Sequence, residues 1–179
     1  MIIWINGAFG AGKTTVSNLL VNQIADAHIL DPEDIGELIR KTFPETRKMD
    51  YQDLAMWRTL TVHFIQESKR QFSSPLIIPM TLVVPEYLNE IFTGITNSKT
   101  SLFHFFLQTE KEELAKRIQS QVIVQNDPKQ DEAVRQWRLA QIDRCYSASN
   151  HMHQNTIFLD TNAQSPDDLV RQIITTVRN

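Results

Sequence analysis

Lys13 and Thr14 close an eight-residue run, Gly7-Ala8-Phe9-Gly10-Ala11-Gly12-Lys13-Thr14, that matches the pattern GxxxxGK[ST]. The chemistry of such a run is phosphate binding. Small residues let successive backbone N–H groups converge on a phosphate without Cβ atoms in the way, and the positive end of a following helix adds to the attraction. The lysine brings a mobile charge to the β- and γ-phosphates. At ~4 Å and an effective dielectric of ~20 that charge interacts with each unit of phosphate charge by about 4 kcal/mol before desolvation. The Thr14 hydroxyl would meet Mg²⁺, whereas Thr15 either packs locally in the first helical turn or touches the α-phosphate. The chain has only five glycines, and three of them lie between positions 7 and 12, so backbone freedom is concentrated where a phosphate would sit.

A second chemical group follows at His28-Ile29-Leu30-Asp31-Pro32-Glu33-Asp34. One of Asp31 and Glu33 can serve water-bound Mg²⁺ and the other an acceptor hydroxyl, by taking its proton or by orienting it. The bland alternative is that Asp31 caps the next helix while Glu33 and Asp34 complement its dipole. Further along, the apolar run Leu76 to Met80 ends in Thr81 rather than in a carboxylate, which disfavours a motor or transport ATPase. No NKxD tetrapeptide is present to read guanine, which disfavours a GTPase switch. A small-molecule kinase remains, with Thr81 as a polar candidate on the acceptor side.

These residues need a scaffold that brings strand ends together. Residues 2–5 form an apolar strand-like run, and Lys13 to Ala25 carries Val16, Leu19, Leu20 and Ile24 at helical spacing. A short strand at His28–Leu30 leads into a helix beginning near Pro32. A long amphipathic helix is predicted from Tyr51 to about Phe72, a buried strand over Pro75–Met80, and a helix after Pro85. A fourth strand at Leu102–Leu107, a helix over Glu110 to about Ser120, a fifth strand at Thr156–Leu159 and a helix after Ser165 complete the pattern. Five strands alternating with helices predict an α/β fold with a mostly parallel sheet, with ligands outside the carboxyl ends of the strands. Residues 121–136 are polar and weakly periodic, a composition suited to a mobile flap, and place a small lid at about 117–138 within one domain.

Arg117 and Arg144 flank that flap, and a guanidinium swinging onto the γ-phosphate would stabilise charge in transfer. Arg135 and Arg138 are weaker candidates, since helix surfaces commonly carry arginine. Arg58 can hold a polar or anionic group of an acceptor, while its neighbour Trp57 reads as a packing residue. Thr161 and Asn162, after the fifth strand, are candidates for the adenine side of a kinase-like site, though loops approaching a helix share that composition. His151 and His153 lack a carboxylate or cysteine at ligand spacing and read as surface histidines. The single cysteine, Cys145, reads as a small buried apolar residue and excludes an internal disulfide, which fits a reducing cytosol. With 18 basic and 21 acidic side chains, net charge −3, the chain has no electrostatic footprint for nucleic acid. No apolar run is long enough to span a bilayer.

The sequence resembles the tunicamycin-resistance ATP-binding family, within the wider group of small P-loop kinases. The likeness rests on Met1-Ile-Ile-Trp-Ile-Asn-Gly-Ala-Phe-Gly10 with Gly12-Lys13-Thr14, Asp31-Pro32-Glu33, Trp57-Arg58, Ile78-Pro79-Met80-Thr81, Pro85-Glu86-Tyr87 and Gln141-Ile-Asp-Arg-Cys145. The resemblance implies a cytosolic protein that binds ATP with Mg²⁺ at the Gly7–Thr14 loop. It further implies protection against a nucleoside antibiotic such as tunicamycin, either by phosphorylating it or by sequestering it without catalysis. In the similar shikimate, gluconate and chloramphenicol kinases the acids after the second strand handle magnesium and the acceptor hydroxyl, which would fall here to Asp31 and Glu33. This chain departs from the pattern in having no arginine between Ser120 and Gln130. Members of the family have been linked to membrane attachment through a C-terminal amphipathic helix, but Asp168–Arg178, with balanced charge, reads as a core-covering helix.

Overall fold

Ile2, Ile3, Trp4 and Ile5 show no polar alternation because their strand is covered on both faces. The computed structural model describes residues 1–97 and 100–178. Five strands, β1 (Ile2–Gly7), β2 (His28–Ile29), β3 (Leu76–Pro79), β4 (Leu102–Gln108) and β5 (Ile157–Asp160), form an all-parallel sheet of order β2-β3-β1-β4-β5. The helices are α1 (Lys13–Gln23), α2 (Glu33–Thr42), α3 (Ala55–Gln71), α4 (Pro85–Thr96), α5 (Lys111–Ser120), α6 (Pro128–Ala140), α7 (Ile142–Ala148) and α8 (Pro166–Arg178).

The two-residue period of a strand sorts β1 into two cores. Ile3 and Ile5 pack with Val16 and Leu20 of α1 and with Leu169, Val170 and Ile173 of α8. Ile2 and Trp4 turn the other way, onto Trp57 and Ile65 of α3 and Leu88, Ile91 and Phe92 of α4. The apolar face of α8 is therefore taken up by the sheet and α1. Among the described residues no helix is long and apolar enough to cross a membrane.

Because every strand is parallel, Gly7, Ile29, Pro79, Gln108 and Asp160 end on one edge of the sheet, and β1 delivers its loop to the middle of that edge. Two sequence expectations shift. The long helix does not run from Tyr51: Asp50 accepts a hydrogen bond from Gln52 N–H, a short 3-10 turn spans Tyr51–Asp53, and α3 starts at Ala55. Half of the expected flap is helical, because Asp127 caps α6 through Gln130 N–H and Pro128 occupies the first turn. Only 121–127 is irregular, and Asp131 Oδ1 accepts from the N–H groups of Ile123 and Val124 there.

Candidate functional site

The loop after β1 is shaped by backbone that side chains rarely adopt. Gly7 has φ +141°, and a Cβ there would lie 2.8 Å from the Leu107 carbonyl oxygen. Gly12 has φ +100° and begins α1 with no side-chain cap and no acid in the first turn. The first N–H groups of α1 are thus left for an anion. Thr14 and Thr15 are exposed beside them. Lys13 Nζ donates to the carbonyls of Gly7 at 3.0 Å and Ala8 at 2.9 Å. Burial pushes its pKa down to about 8, against the opposing pull of Cys145 and of the Glu33 and Asp31 carboxylates.

A buried polar network fixes this loop to the rest of the edge. Asn6 Nδ2 donates to Leu82 O at 2.7 Å, and Asn6 Oδ1 accepts from Leu82 N–H and Gly7 N–H. Thr81 Oγ1 donates to Gly7 O at 2.9 Å, and Gln52 Nε2 donates to Thr81 O at 2.9 Å. Thr81, expected on the acceptor side, does border the cavity described next, but its hydroxyl proton is committed to the loop.

A recess of about 210 Å³ lies over the loop and is lined in part by Lys13, Thr14, Thr15, Asp31 and Glu33. It shares Phe9, Glu33, Thr81 and Arg138 with a larger cavity of about 580 Å³. Asp31 belongs to the recess alone, whereas Glu33 belongs to both. Asp31 Oδ1 also accepts from Glu33 N–H at 2.9 Å, so the local turn and the site use the same carboxylate. Trp57 is fully buried, and its Nε1–H donates to Pro32 O at 2.9 Å, which pins the turn carrying the two acids. Burial raises the pKa of Asp31, and burial followed by the neighbouring Asp31 charge raises that of Glu33.

The structure sorts the arginines differently from the sequence. Arg138 is the one that borders both cavities. Its guanidinium lies 5.4 Å from the Phe9 ring, and its buried Nε–H has no hydrogen-bond partner among the described residues. Arg144 borders the larger cavity, is exposed, and donates to Gln141 Oε1 at 3.4 Å. Arg117 lines neither cavity: it bonds Glu113 and donates to Thr161 O at 3.1 Å. Arg135 is tied to Asp131, Glu132 and Gln121 O. Arg58, expected near an acceptor, instead clamps Glu90 at 2.6 Å and Gln52 O at 2.6 Å and lies over the Tyr87 ring, outside both cavities. Its two strongest donors are consumed by the joint between the 3-10 turn, α3 and α4.

Thr161 is buried and hydrogen-bonded to Thr109, and Asn162 Oδ1 accepts from Glu110 N–H at 3.3 Å. Both stand at the end of β5, beside α5 and outside both cavities. α5 also touches the loop, since a Cβ on Gly10 would meet Ile118. Cys145 is buried in the wall of the larger cavity, where burial pushes its thiol pKa up. His151 and His153 are exposed. Arg40, Arg47, Lys48, Tyr51 and Trp137 line the larger cavity without any signal in the sequence. The first four lie in α2 and the 44–53 segment, whose short 3-10 turns have no periodicity to read.

The residues fit a magnesium ion that arrives with phosphates rather than one held by a protein cage. Among the described residues no group of three or more His, Cys, Asp and Glu side chains could hold a metal. The recess does offer the Thr14 hydroxyl and the Asp31 and Glu33 carboxylates, hard oxygen donors of the kind that bind Mg²⁺ together with substrate phosphates and water.

No curated protein matches the chain. Among solved structures, it is similar to the tunicamycin resistance protein of Deinococcus radiodurans, at 26% identity and TM-score 0.73 over 98% of this chain and 94% of that one. It also resembles a sugar kinase from a Janibacter species, at 16% identity and TM-score 0.70 over 99% and 94% of the two chains. A gluconokinase from Sinorhizobium meliloti matches at 16% identity and TM-score 0.61 over 98% and 90%. At those identities the two kinases speak for the fold alone. The family model described as an AAA domain, AAA_33, matches residues 2–145, which include the phosphate loop, the acids after β2 and the arginine between the two cavities. The chain belongs to that family, with the fold of the small P-loop kinases.

Proposed function

We propose that this chain is an ATP- and Mg²⁺-dependent phosphotransferase that moves the γ-phosphoryl group of ATP onto a hydroxyl of a small molecule. The observation that carries the reading is the junction between recess and cavity, where Glu33 and Arg138 border both volumes. A γ-phosphate bound over the loop and a hydroxyl held in the cavity would meet there. The hydroxyl oxygen forms the new bond to phosphorus, the bond to the β–γ bridging oxygen breaks, and ADP leaves. Glu33 accepts or orients the hydroxyl proton. Lys13 and Arg138 offset the negative charge on the transferring group. Thr14 and Asp31 would hold magnesium, which would supply charge neutralisation for the bound phosphates. The turn at Thr161 and Asn162, with Arg117 against it, flanks the adenine. α6 and residues 121–127 act as the lid.

Arg138→Ala is expected to lower kcat by roughly a hundredfold and to change the KM for ATP much less, because its buried Nε–H, unpaired among the described residues, stands at the junction where the transferring phosphate would lie. Steady-state kinetics check this, and an unchanged kcat would remove Arg138 from the mechanism. The pH profile of kcat/KM should be bell-shaped. Its acid limb lies above the ordinary carboxylate range, since Asp31 and Glu33 both titrate high, and activity is lost as pH falls through it. Its alkaline limb is centred near 8, where Lys13 of the free protein loses its proton. Phosphate binding favours the charged lysine, so ATP affinity is fully present below that value, falls as pH rises through it, and is accompanied by proton uptake. Calorimetry in buffers of different ionisation heat measures that uptake, and its absence above pH ~8 would contradict the assignment.

The tunicamycin resistance protein of Deinococcus radiodurans supports resistance to a nucleoside antibiotic as the setting of this activity. The direct test is incubation with γ-labelled ATP, Mg²⁺ and a panel of hydroxyl compounds that includes tunicamycin. Label in an acceptor is the expected outcome. ATP binding without label in any acceptor would leave a nucleotide-dependent binder instead of a transferase.

A further inference from the structure

The chain as a whole is acidic, at net charge −3, yet the wall of the larger cavity is basic. Arg40, Arg47, Lys48, Arg138 and Arg144 line it against only two carboxylates, Glu33 and Asp50. One of those is occupied, since Asp50 Oδ1 accepts from Gln52 N–H at 3.0 Å. The other, Glu33, faces the phosphate recess as well.

The cations are also sorted by position. Arg138 stands at the junction with the recess, whereas Arg40, Arg47 and Lys48 border the cavity alone. Arg40 lies over the Tyr51 ring at 4.9 Å, ion-paired with Glu37 and donating to Met49 O, so its guanidinium is preorganised. Its buried Nε–H finds no acceptor among the described residues. Arg47 and Lys48, exposed at the cavity wall, have no ion-pair partner among the described residues. Like charges on one wall repel one another, and among the described residues only Arg40 of these three cations has a carboxylate partner, Glu37. A bound anion is what relieves both the repulsion and the unfilled donors.

We infer that the cavity selects an alcohol that carries its own anionic group, a phosphate or a carboxylate, held by Arg40, Arg47 and Lys48 while its hydroxyl lies at Glu33. The inference rests on the phosphotransferase reading of the site and adds the substrate class to it. Tyr51, Phe9 and Trp137 give the same cavity an aromatic lining, so the anionic group is attached to a body with an apolar or ring face. At about 580 Å³ the volume suits a molecule of sugar-phosphate to mononucleotide size.

The test compares matched pairs on protein whose phosphate loop is saturated with a nonhydrolysable ATP analogue: glucose against glucose 6-phosphate, uridine against uridine 5′-phosphate, and tunicamycin as an uncharged competitor. Calorimetry gives the affinities, and γ-labelled ATP gives transfer in parallel. The anionic member of at least one pair should bind tenfold or more tightly than its neutral partner, with a preference that shrinks as salt rises. In the double variant Arg47→Ala/Lys48→Ala, whose exposed side chains carry no part of the core, that preference should fall to threefold or less while affinity for the ATP analogue stays the same. Equal affinities within every pair, failure of all anionic members to bind, or tighter binding of tunicamycin than of any anion would overturn the inference. So would a preference that survives the double variant. Anion-selective binding without label transfer would uphold the inference and overturn the phosphotransferase reading, whereas transfer to neutral acceptors alone would do the reverse.

Discussion

Lys13→Ala is expected to weaken ATP binding by at least roughly a hundredfold and to leave no measurable turnover, without unfolding the protein. The Nζ of Lys13 rests on the Gly7 and Ala8 carbonyls, a pair of acceptors that belong to the phosphate loop itself. A triphosphate arriving at the recess offers it several unit charges instead, each worth about 4 kcal/mol at an effective dielectric of ~20 before desolvation. The lowered pKa says that the ammonium is held at a cost in the free protein. Deleting it removes that cost together with two hydrogen bonds, so the thermal midpoint without nucleotide should move by only a few degrees. The discriminating measurement is the rise in midpoint on adding ATP and Mg²⁺, which should be clear in the parent and absent in the variant. An equal rise in both would mean that nucleotide is held elsewhere.

The second large effect separates the two carboxylates. Glu33→Gln keeps the shape of the junction but removes the group that takes or orients the hydroxyl proton, and kcat should fall by about 10²–10⁴ with ATP affinity preserved. Asp31→Asn should act through magnesium instead, raising the Mg²⁺ concentration needed for half-maximal rate, because Asp31 borders the recess and not the acceptor cavity. Its amide can still accept from Glu33 N–H through the oxygen, so the turn into α2 survives. Rates and Mg²⁺ titrations of the two variants provide the check. Identical responses would show that the pair titrates and works as one unit, and full antibiotic protection by Glu33→Gln in cells would point to binding without transfer.

Much of this site could be read from the chain because its signals are local. Gly7 to Thr14 is contiguous, and the apolar residues on either side of it fix a strand and a helix by periodicity alone. Asp31 and Glu33 were legible for the same reason, being the first polar residues after a short apolar run. The arginines were not. Whether Arg117, Arg138 or Arg144 faces the loop depends on the rotation of α5, α6 and α7 about their axes, and those helices carry mixed polar faces with no sharp stripe to set it. Arg58 looked available in sequence because Glu90 is brought to it only by the packing of α3 on α4, and the Gln52 carbonyl only by the unforeseen 3-10 turn ahead of α3. Asn6 gave no sign of its role, since an asparagine before a glycine reads as a turn former, and its two partners on Leu82 lie 76 residues away.

The ten positions from Pro44 to Asp53 supply much of the basic cavity wall yet bury only Gln52, and they contribute no strand to the sheet. Its exposed positions, Arg47, Lys48 and Met49 among them, can be rewritten with little damage to stability, whereas Gln52 and Tyr51 tie the segment to the loop and the core and must stay. Divergence within this architecture would then run through that short stretch first, and a designer seeking a new acceptor would graft there before altering anything that grips the nucleotide.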